Sequence, residues 1–319
     1  MNTDMTIEDI RGAAERIQGI AHRTPVFTSG TFDKLAGGEG FFKCENFQRG
    51  GAFKIRGAAN FVYSIPKDEL NRGVVSYSSG NHAQAVAIAA ASVNIPATIV
   101  MPADAPKSKL EATRGYGAKV VTYDRMLGSR ETIGRKIAAD TGATLVPPYD
   151  HPWTIAGQGT AALELLEEVP DLDTLIVCIG GGGLISGCAI AAKALSPNIR
   201  IFGVEPADAN DTYLSVRAGS RVEIPMPLTV ADGLRATKPG ELTFPIIHKH
   251  VEDVVLVSDK EIRETMRFLL TRMKMLVEPS GAVAAAALFH HKLPEGLGKT
   301  GVIVSGGNVD LEFFQTIWD

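Results

Sequence analysis

The sequence predicts an α/β protein made of two open, mainly parallel-sheet lobes. Two observations carry this. Short apolar runs rich in Val, Ile and Thr alternate with helical runs at the spacing of strand–helix–strand units. Several of those runs end on glycine, serine or asparagine, where ligands of parallel sheets bind.

The first helix is expected over Thr6–Ile20, with Thr6 as its cap and Ile7, Ile10, Ala14, Ile17 and Ile20 on one face. Phe41–Glu45 reads as a short strand and Gly57–Ile65 as a helix. Regular alternation begins at Gly73: strands Val74–Tyr77, Ala97–Met101, Lys119–Tyr123 and Thr144–Pro147, with helices Asn81–Ala91, Lys107–Tyr116 and Ser129–Thr141 between them. Those four strands suffice for a small lobe over 73–149, which leaves 1–72 and 150–319 for the larger lobe. In the latter, helix Gly157–Glu168, strand Thr174–Ile179, helix Leu184–Leu195 and strand Arg200–Val204 follow in turn. Strand Val251–Val257, helices Asp259–Met273 and Pro279–Phe289, and strand Gly301–Val304 complete the pattern. Between Glu205 and Glu252 the sequence reads as mostly loop.

The 319 residues are 45% hydrophobic and carry a net charge of −4, so nothing marks a nucleic-acid or anionic-membrane partner. No positive region followed by an apolar run opens the chain, and no stretch is long and apolar enough to span a bilayer. Cys44, Cys178 and Cys188 have no metal or redox spacing and are expected as buried free thiols, which places the protein in the cytoplasm.

Chemistry concentrates at the strand ends. Lys54 lies in Gly50-Gly51-Ala52-Phe53-Lys54-Ile55-Arg56-Gly57-Ala58, at or just before a helix start. Desolvation there would lower its pKa and make the amine a Schiff-base nucleophile, whereas a solvated turn lysine is the plainer alternative. Gly180-Gly181-Gly182-Gly183 joins an apolar strand to a helix beginning at Leu184. Four glycines cost chain entropy but let backbone N–H groups wrap a phosphate at the helix N-terminus. A dinucleotide is the rival ligand, with Glu205 placed for a ribose; against it, G-x-G-x-x-G fails at Ser186.

Five motifs in order, Gly51–Ala58, Ser78-Ser79-Gly80-Asn81-His82-Ala83-Gln84, Ala156-Gly157-Gln158-Gly159-Thr160, the glycine loop and Ser305-Gly306-Gly307-Asn308, resemble the fold-type II pyridoxal-phosphate enzymes. The likeness is to the serine/threonine dehydratase, serine racemase and hydroxyaspartate dehydratase branch, whose fold is similar to tryptophan synthase β. It implies that pyridoxal 5'-phosphate lies between the lobes, with Lys54 as its Schiff-base lysine and Phe53 near the ring. It further implies Asn81 at the ring hydroxyl, Gly180, Gly181, Gly182, Gly183 and Leu184 at the phosphate, and Ser305 at the pyridine nitrogen. Ala52 stands where the family more often has serine, a mild departure.

Lys54 is also the expected base for the Cα proton, and Ser79 matches the hydroxyl across the ring in the racemases; a turn-capping role for Ser79 is the alternative. Ser78, Ser79, Gly80, His82 and Arg130 are the residues expected near substrate, Arg130 for a second substrate carboxylate. For His82 a packing role, and for Arg130 a solvated helix position, remain open. Glu205-Pro206-Ala207-Asp208-Ala209-Asn210-Asp211 reads on its residues alone as a solvated acidic loop; the resemblance implies a divalent site from Glu205, the Ala209 carbonyl and Asp211, taking Mg²⁺ first and Mn²⁺ or Ca²⁺ otherwise. The resulting expectation is a homodimeric dehydratase (ammonia-lyase) that converts 3-hydroxy amino acids to a 2-oxo acid and ammonia. Its substrate would be 3-hydroxyaspartate, then L-serine or L-threonine, and no regulatory domain is expected. Serine racemase is the nearer alternative and a dinucleotide-dependent oxidoreductase the remote one.

Overall fold

A computed structural model describes residues 5–78, 80–105, 107–124 and 129–318. Its strands are β1 (Val26–Phe27), β2 (Gly40–Cys44), β3 (Val74–Tyr77), β4 (Ala97–Pro102), β5 (Lys119–Tyr123), β6 (Thr144–Leu145), β7 (Thr174–Cys178), β8 (Arg200–Pro206), β9 (Asp253–Val257) and β10 (Thr300–Val304). Helices α1 (Ile7–Arg16), α2 (Gly30–Ala36), α3 (Lys54–Ser64), α4 (Lys67–Leu70), α5 (Asn81–Ser92), α6 (Lys107–Gly115) and α7 (Arg130–Thr141) occupy the first half. The second half holds α8 (Pro152–Glu168), α9 (Gly183–Leu195), α10 (Asp211–Ala218), α11 (Thr243–His250), α12 (Asp259–Met273), α13 (Pro279–Phe289) and α14 (Leu311–Thr316).

The strands form two sheets. One runs β1-β2-β10-β7-β8-β9, parallel except where β1 joins β2; the other runs β5-β4-β3-β6, parallel throughout. β7 and β10 are buried along their whole length, as strands covered by helices on both faces must be. The larger core gathers Ile176, Val177, Ile185, Val204, Val283 and Val302. A second core, under the four-stranded sheet, also takes Ile55, Ala58, Phe61 and Val62 from α3. The helix that begins with Lys54 thus packs its far face into the second core.

The alternation from Gly73 to Leu145 is present, while several boundaries move: α1 stops at Arg16 rather than Ile20, β6 at Leu145 rather than Pro147, and β9 starts at Asp253 rather than Val251. α3 begins at Lys54 rather than Gly57, and α8 at Pro152 rather than Gly157. The stretch between Glu205 and Glu252, read as loop, contains α10 and α11. Neither helix has a local cap. The first N–H groups of α10, from Thr212 and Tyr213, donate to the Glu205 carboxylate at 3.1 and 2.8 Å, and those of α11 go to Asp150. A cap supplied from elsewhere in the chain leaves no signal in the flanking residues. No helix among the described residues is long and apolar enough to cross a membrane.

Candidate active site

Three adjacent parallel strands deliver three of the expected groups to one sheet edge. The C-terminal ends of β2, β10 and β7 lead to the Lys54 turn, to Ser305 and to the glycine loop. The first two are stitched together: Phe53 N–H donates to Ser305 O at 3.0 Å, Gly307 N–H to Gly51 O at 2.8 Å, and Ala52 bridges Gly306. A serine at position 52 would have to fit this contact, because Ala52 is buried.

The Lys54 amine donates to the Pro148 carbonyl at 3.0 Å and lies 5.0 Å from the centre of the Phe53 ring. Burial lowers its pKa to about 8, against the opposing pull of Cys178 and Glu278. A lysine so held gives up its proton more readily than a solvated one. That is the property the sequence asked for.

Asn81 opens α5. Its Nδ2 donates to Glu278 Oε1 at 2.6 Å, and its Oδ1 accepts from Asn308 Nδ2 at 2.9 Å. Asn308 also donates to Gly50 O at 2.6 Å, and Glu278 N–H donates to Gly306 O. The Asn81 amide is therefore locked in one orientation, with one Nδ2 proton left to give. Ser305 is buried, its hydroxyl 3.3 Å from Ser280 O and bonded to the Cys178 thiol, whose pKa burial pushes up to about 11.

The glycine loop spans the end of β7 and the first turn of α9. Gly182 has φ 91°, the left-handed region that favours glycine, and a Cβ on Gly181 would fall 2.4 Å from the Tyr149 ring. Among the described residues, the N–H groups of Gly180 to Ile185 find no protein acceptor. Unpaired donors at a helix N-terminus fit an anion such as phosphate. The Gly181 carbonyl, by contrast, is occupied by Thr243 Oγ1 at 2.7 Å.

The residues expected near substrate divide. Ser78 Oγ accepts from Gly80 N–H at 3.3 Å, and Gly80 immediately precedes α5. Ser79 lies outside the described residues. His82 is buried, with Nε2 3.2 Å from Val146 O, so that nitrogen carries the proton, and Nδ1 has no partner among the described residues. Burial first, then the Lys54 charge, lowers its pKa to about 3, and the ring is neutral. Arg130 begins α7 and is exposed, and its positive charge opposes protonation of His82.

Glu205 and Asp211 come together at the end of β8. Both are fully buried, and both Asp211 oxygens lack a hydrogen-bond partner among the described residues. Burial drives both carboxyls upward in pKa, and mutual repulsion adds to it at Glu205. Ala209, between them in sequence, is also buried. Among the described residues no three or more His, Cys, Asp or Glu side chains converge on a metal position. What the loop offers is two carboxylates and a carbonyl, a hard-oxygen set suited to a divalent cation completed by water.

Sequence reasoning gave no role to Pro148, Tyr149, Asp150, Glu278 or Asn308. Only Asn308 fell within a quoted motif. The others act through tertiary approach, which leaves no periodicity to read.

A family model described as "Pyridoxal-phosphate dependent enzyme" matches residues 17–306. An L-threo-3-hydroxyaspartate ammonia-lyase from Pseudomonas is 52% identical over 309 residues, covering 97% of each chain. A serine racemase from Schizosaccharomyces pombe is 49% identical over 307 residues, covering 96% of this chain and 95% of its own. Among solved structures, maize serine racemase superposes with a TM-score of 0.94 at 46% identity, over 98% of this chain and 97% of that one.

Proposed function

Because the chain belongs to the pyridoxal-phosphate-dependent enzyme family, we infer that it is a lyase that removes water and then ammonia from 3-hydroxy amino acids, leaving a 2-oxo acid. The observation that carries this is the Lys54 amine, desolvated and held at the same sheet edge as an N–H-lined glycine loop. The oxidoreductase alternative falls away, since the family match spans both the lysine turn and the glycine loop.

When bound, pyridoxal 5'-phosphate supplies an aldehyde and an electron sink for the substrate α-carbon. Lys54 would hold it, the N–H groups of Gly180–Leu184 would take its phosphate, and Asn81, Phe53 and Ser305 would fix its ring. The Lys54 amine would be the base for the Cα proton, positioned by its hydrogen bond to the Pro148 carbonyl. Ser305 is a neutral partner and need not enforce a charged ring nitrogen. Elimination tolerates that, because the departing hydroxyl takes the electrons.

The first substrate in this reading is 3-hydroxyaspartate, supported by the 52%-identical relative, with L-serine and L-threonine after it. Racemisation is the second reading, supported by the 49%-identical serine racemase. Incubation with the hydroxyaspartate isomers, L-serine and L-threonine, followed by assay of 2-oxo acid, ammonia and product chirality, tests both. Oxo acid should form fastest from a hydroxyaspartate isomer; inverted amino acid without oxo acid would overturn the lyase reading. Arg130 is assigned the second substrate carboxylate. Arg130→Met should then lower kcat/KM for hydroxyaspartate by about tenfold or more and leave L-serine unchanged, the loss expected for one charged hydrogen bond.

The divalent cation is part of the same proposal. Glu205, Asp211 and the Ala209 carbonyl would hold Mg²⁺, Mn²⁺ or Ca²⁺ and order the loop ahead of α10. Asp211→Asn removes one of two like buried charges. Without metal, the variant should melt above wild type; with Mg²⁺, wild type should gain stability and the variant should not. Equal melting points in all four samples would remove the metal from the reading. A cytoplasmic homodimer completes the proposal; it rests on the family resemblance and on three buried free thiols, and sedimentation tests the dimer.

A further inference from the structure

The short segment Pro148–Asp150 meets both the lysine and the glycine loop. Pro148 O takes the Lys54 amine, and the Tyr149 ring lies against Gly181 and Gly183. Asp150 reaches the other way. Its carboxylate accepts the N–H groups of Glu241, Leu242 and Thr243 at 2.8, 2.9 and 3.3 Å, which caps the start of α11. Thr243, held in that turn, donates Oγ1 to Gly181 O at 2.7 Å, while Ser186 on α9 bonds Thr243 O at 3.3 Å. Nothing larger than glycine fits at position 240, where a Cβ would lie 2.2 Å from Asp150 Oδ1.

These bonds bear on the direction of the loop's donors. In a planar trans peptide, the C=O of one residue and the N–H of the next point opposite ways. Pinning the Gly181 carbonyl on Thr243 therefore aims the Gly182 N–H away from Thr243.

We propose that Asp150 is a positioning residue for the phosphate cradle, acting through Thr243 to hold the Gly180–Gly183 backbone with its N–H groups converged on the cofactor phosphate. The inference rests on the reading that this loop takes that phosphate. It carries an unusual sign. By charge alone, an acid beside a phosphate site repels the ligand, and neutralising it tightens binding. Here the carboxylate is engaged by three N–H donors, and charge-assisted bonds of that kind lose strength when the acceptor becomes an amide. Asn at 150 would also turn an NH₂ towards one of those donors. Binding of the phosphate should weaken.

Cofactor-free wild type, Asp150→Asn and Thr243→Val are each titrated with pyridoxal 5'-phosphate and with pyridoxal, which lacks the phosphate, and binding is read from visible absorbance. Wild type should favour the phosphorylated form. Each variant should lose about tenfold in affinity for pyridoxal 5'-phosphate and less than about twofold for pyridoxal, the scale of one charge-assisted hydrogen bond. Equal weakening for both ligands would mean a general disturbance of the fold and would overturn the proposal, as would unchanged or tighter binding of the phosphate form. A wild type indifferent to the phosphate would instead overturn the phosphate reading of the loop.

Discussion

Lys54→Ala is expected to bring no visible absorbance from the cofactor and to lower kcat by about 10³-fold or more, because one amine serves both as covalent anchor and as proton base. The site's electrostatics give this result a pH signature. An ordinary lysine loses its proton near 10.5, whereas burial brings Lys54 to about 8. The free amine is the reactive form, so the rate at which the cofactor-free protein captures pyridoxal 5'-phosphate should rise as pH climbs through about 8 and then level off. The same shift enters stability. The unfolded chain binds this proton more tightly than the folded one, so the cost of holding a charged Lys54 is fully present below about 8 and gone above about 10.5. Across that window the cofactor-free wild type should gain stability as pH rises, and Lys54→Ala should lack that part of the gain.

The largest stability effect is expected two residues further on, at Arg56. Its guanidinium is fully buried and grips two carboxylates at once, Glu45 at 2.7 and 2.8 Å and Glu164 at 2.7 and 2.8 Å, with Thr160 Oγ1 at 3.0 Å and His22 O at 3.2 Å. Lys43, also fully buried, pairs with Glu164 at 2.6 Å and donates to Thr24 O at 2.7 Å. Two cations and two anions balance, and β2, α3 and α8 are tied where α3 begins. Arg56→Ala leaves two carboxylates facing one lysine and should cost about 3–5 kcal/mol, read as a drop in urea midpoint with little change in slope. Arg56→Lys should recover little of it, since an ammonium cannot make two forked pairs. A variant within about 0.5 kcal/mol of wild type, the range of an ordinary surface change, would show that this network does not hold α3.

Much of this site could be read from the residues because its parts sit at strand ends, and strand ends are marked locally. The apolar run of Thr174–Ile179 followed by four glycines announces both a strand and a ligand turn, and Lys54, Asn81 and Ser305 stand in comparable places. What escaped was whatever one segment supplies to another. α10 and α11 passed for loop since Glu205 and Asp150, not neighbouring residues, satisfy their first N–H groups. Glu278 escaped because its link to Asn81 joins the starts of two helices far apart in the chain. Pro148 contributes only a backbone carbonyl, which no residue type advertises. Arg56 lay inside the quoted lysine motif, but its partners come from elsewhere, Glu164 by the crossing of α3 and α8 and Glu45 from the turn after β2.

The central claim is that Lys54 carries the cofactor. The most direct measurement is to load the protein with pyridoxal 5'-phosphate, reduce it with borohydride, digest it and locate the added mass by peptide sequencing. The account predicts a single reduced phosphopyridoxyl group on the peptide that contains Lys54. The same group on another lysine, or none on any, would contradict it.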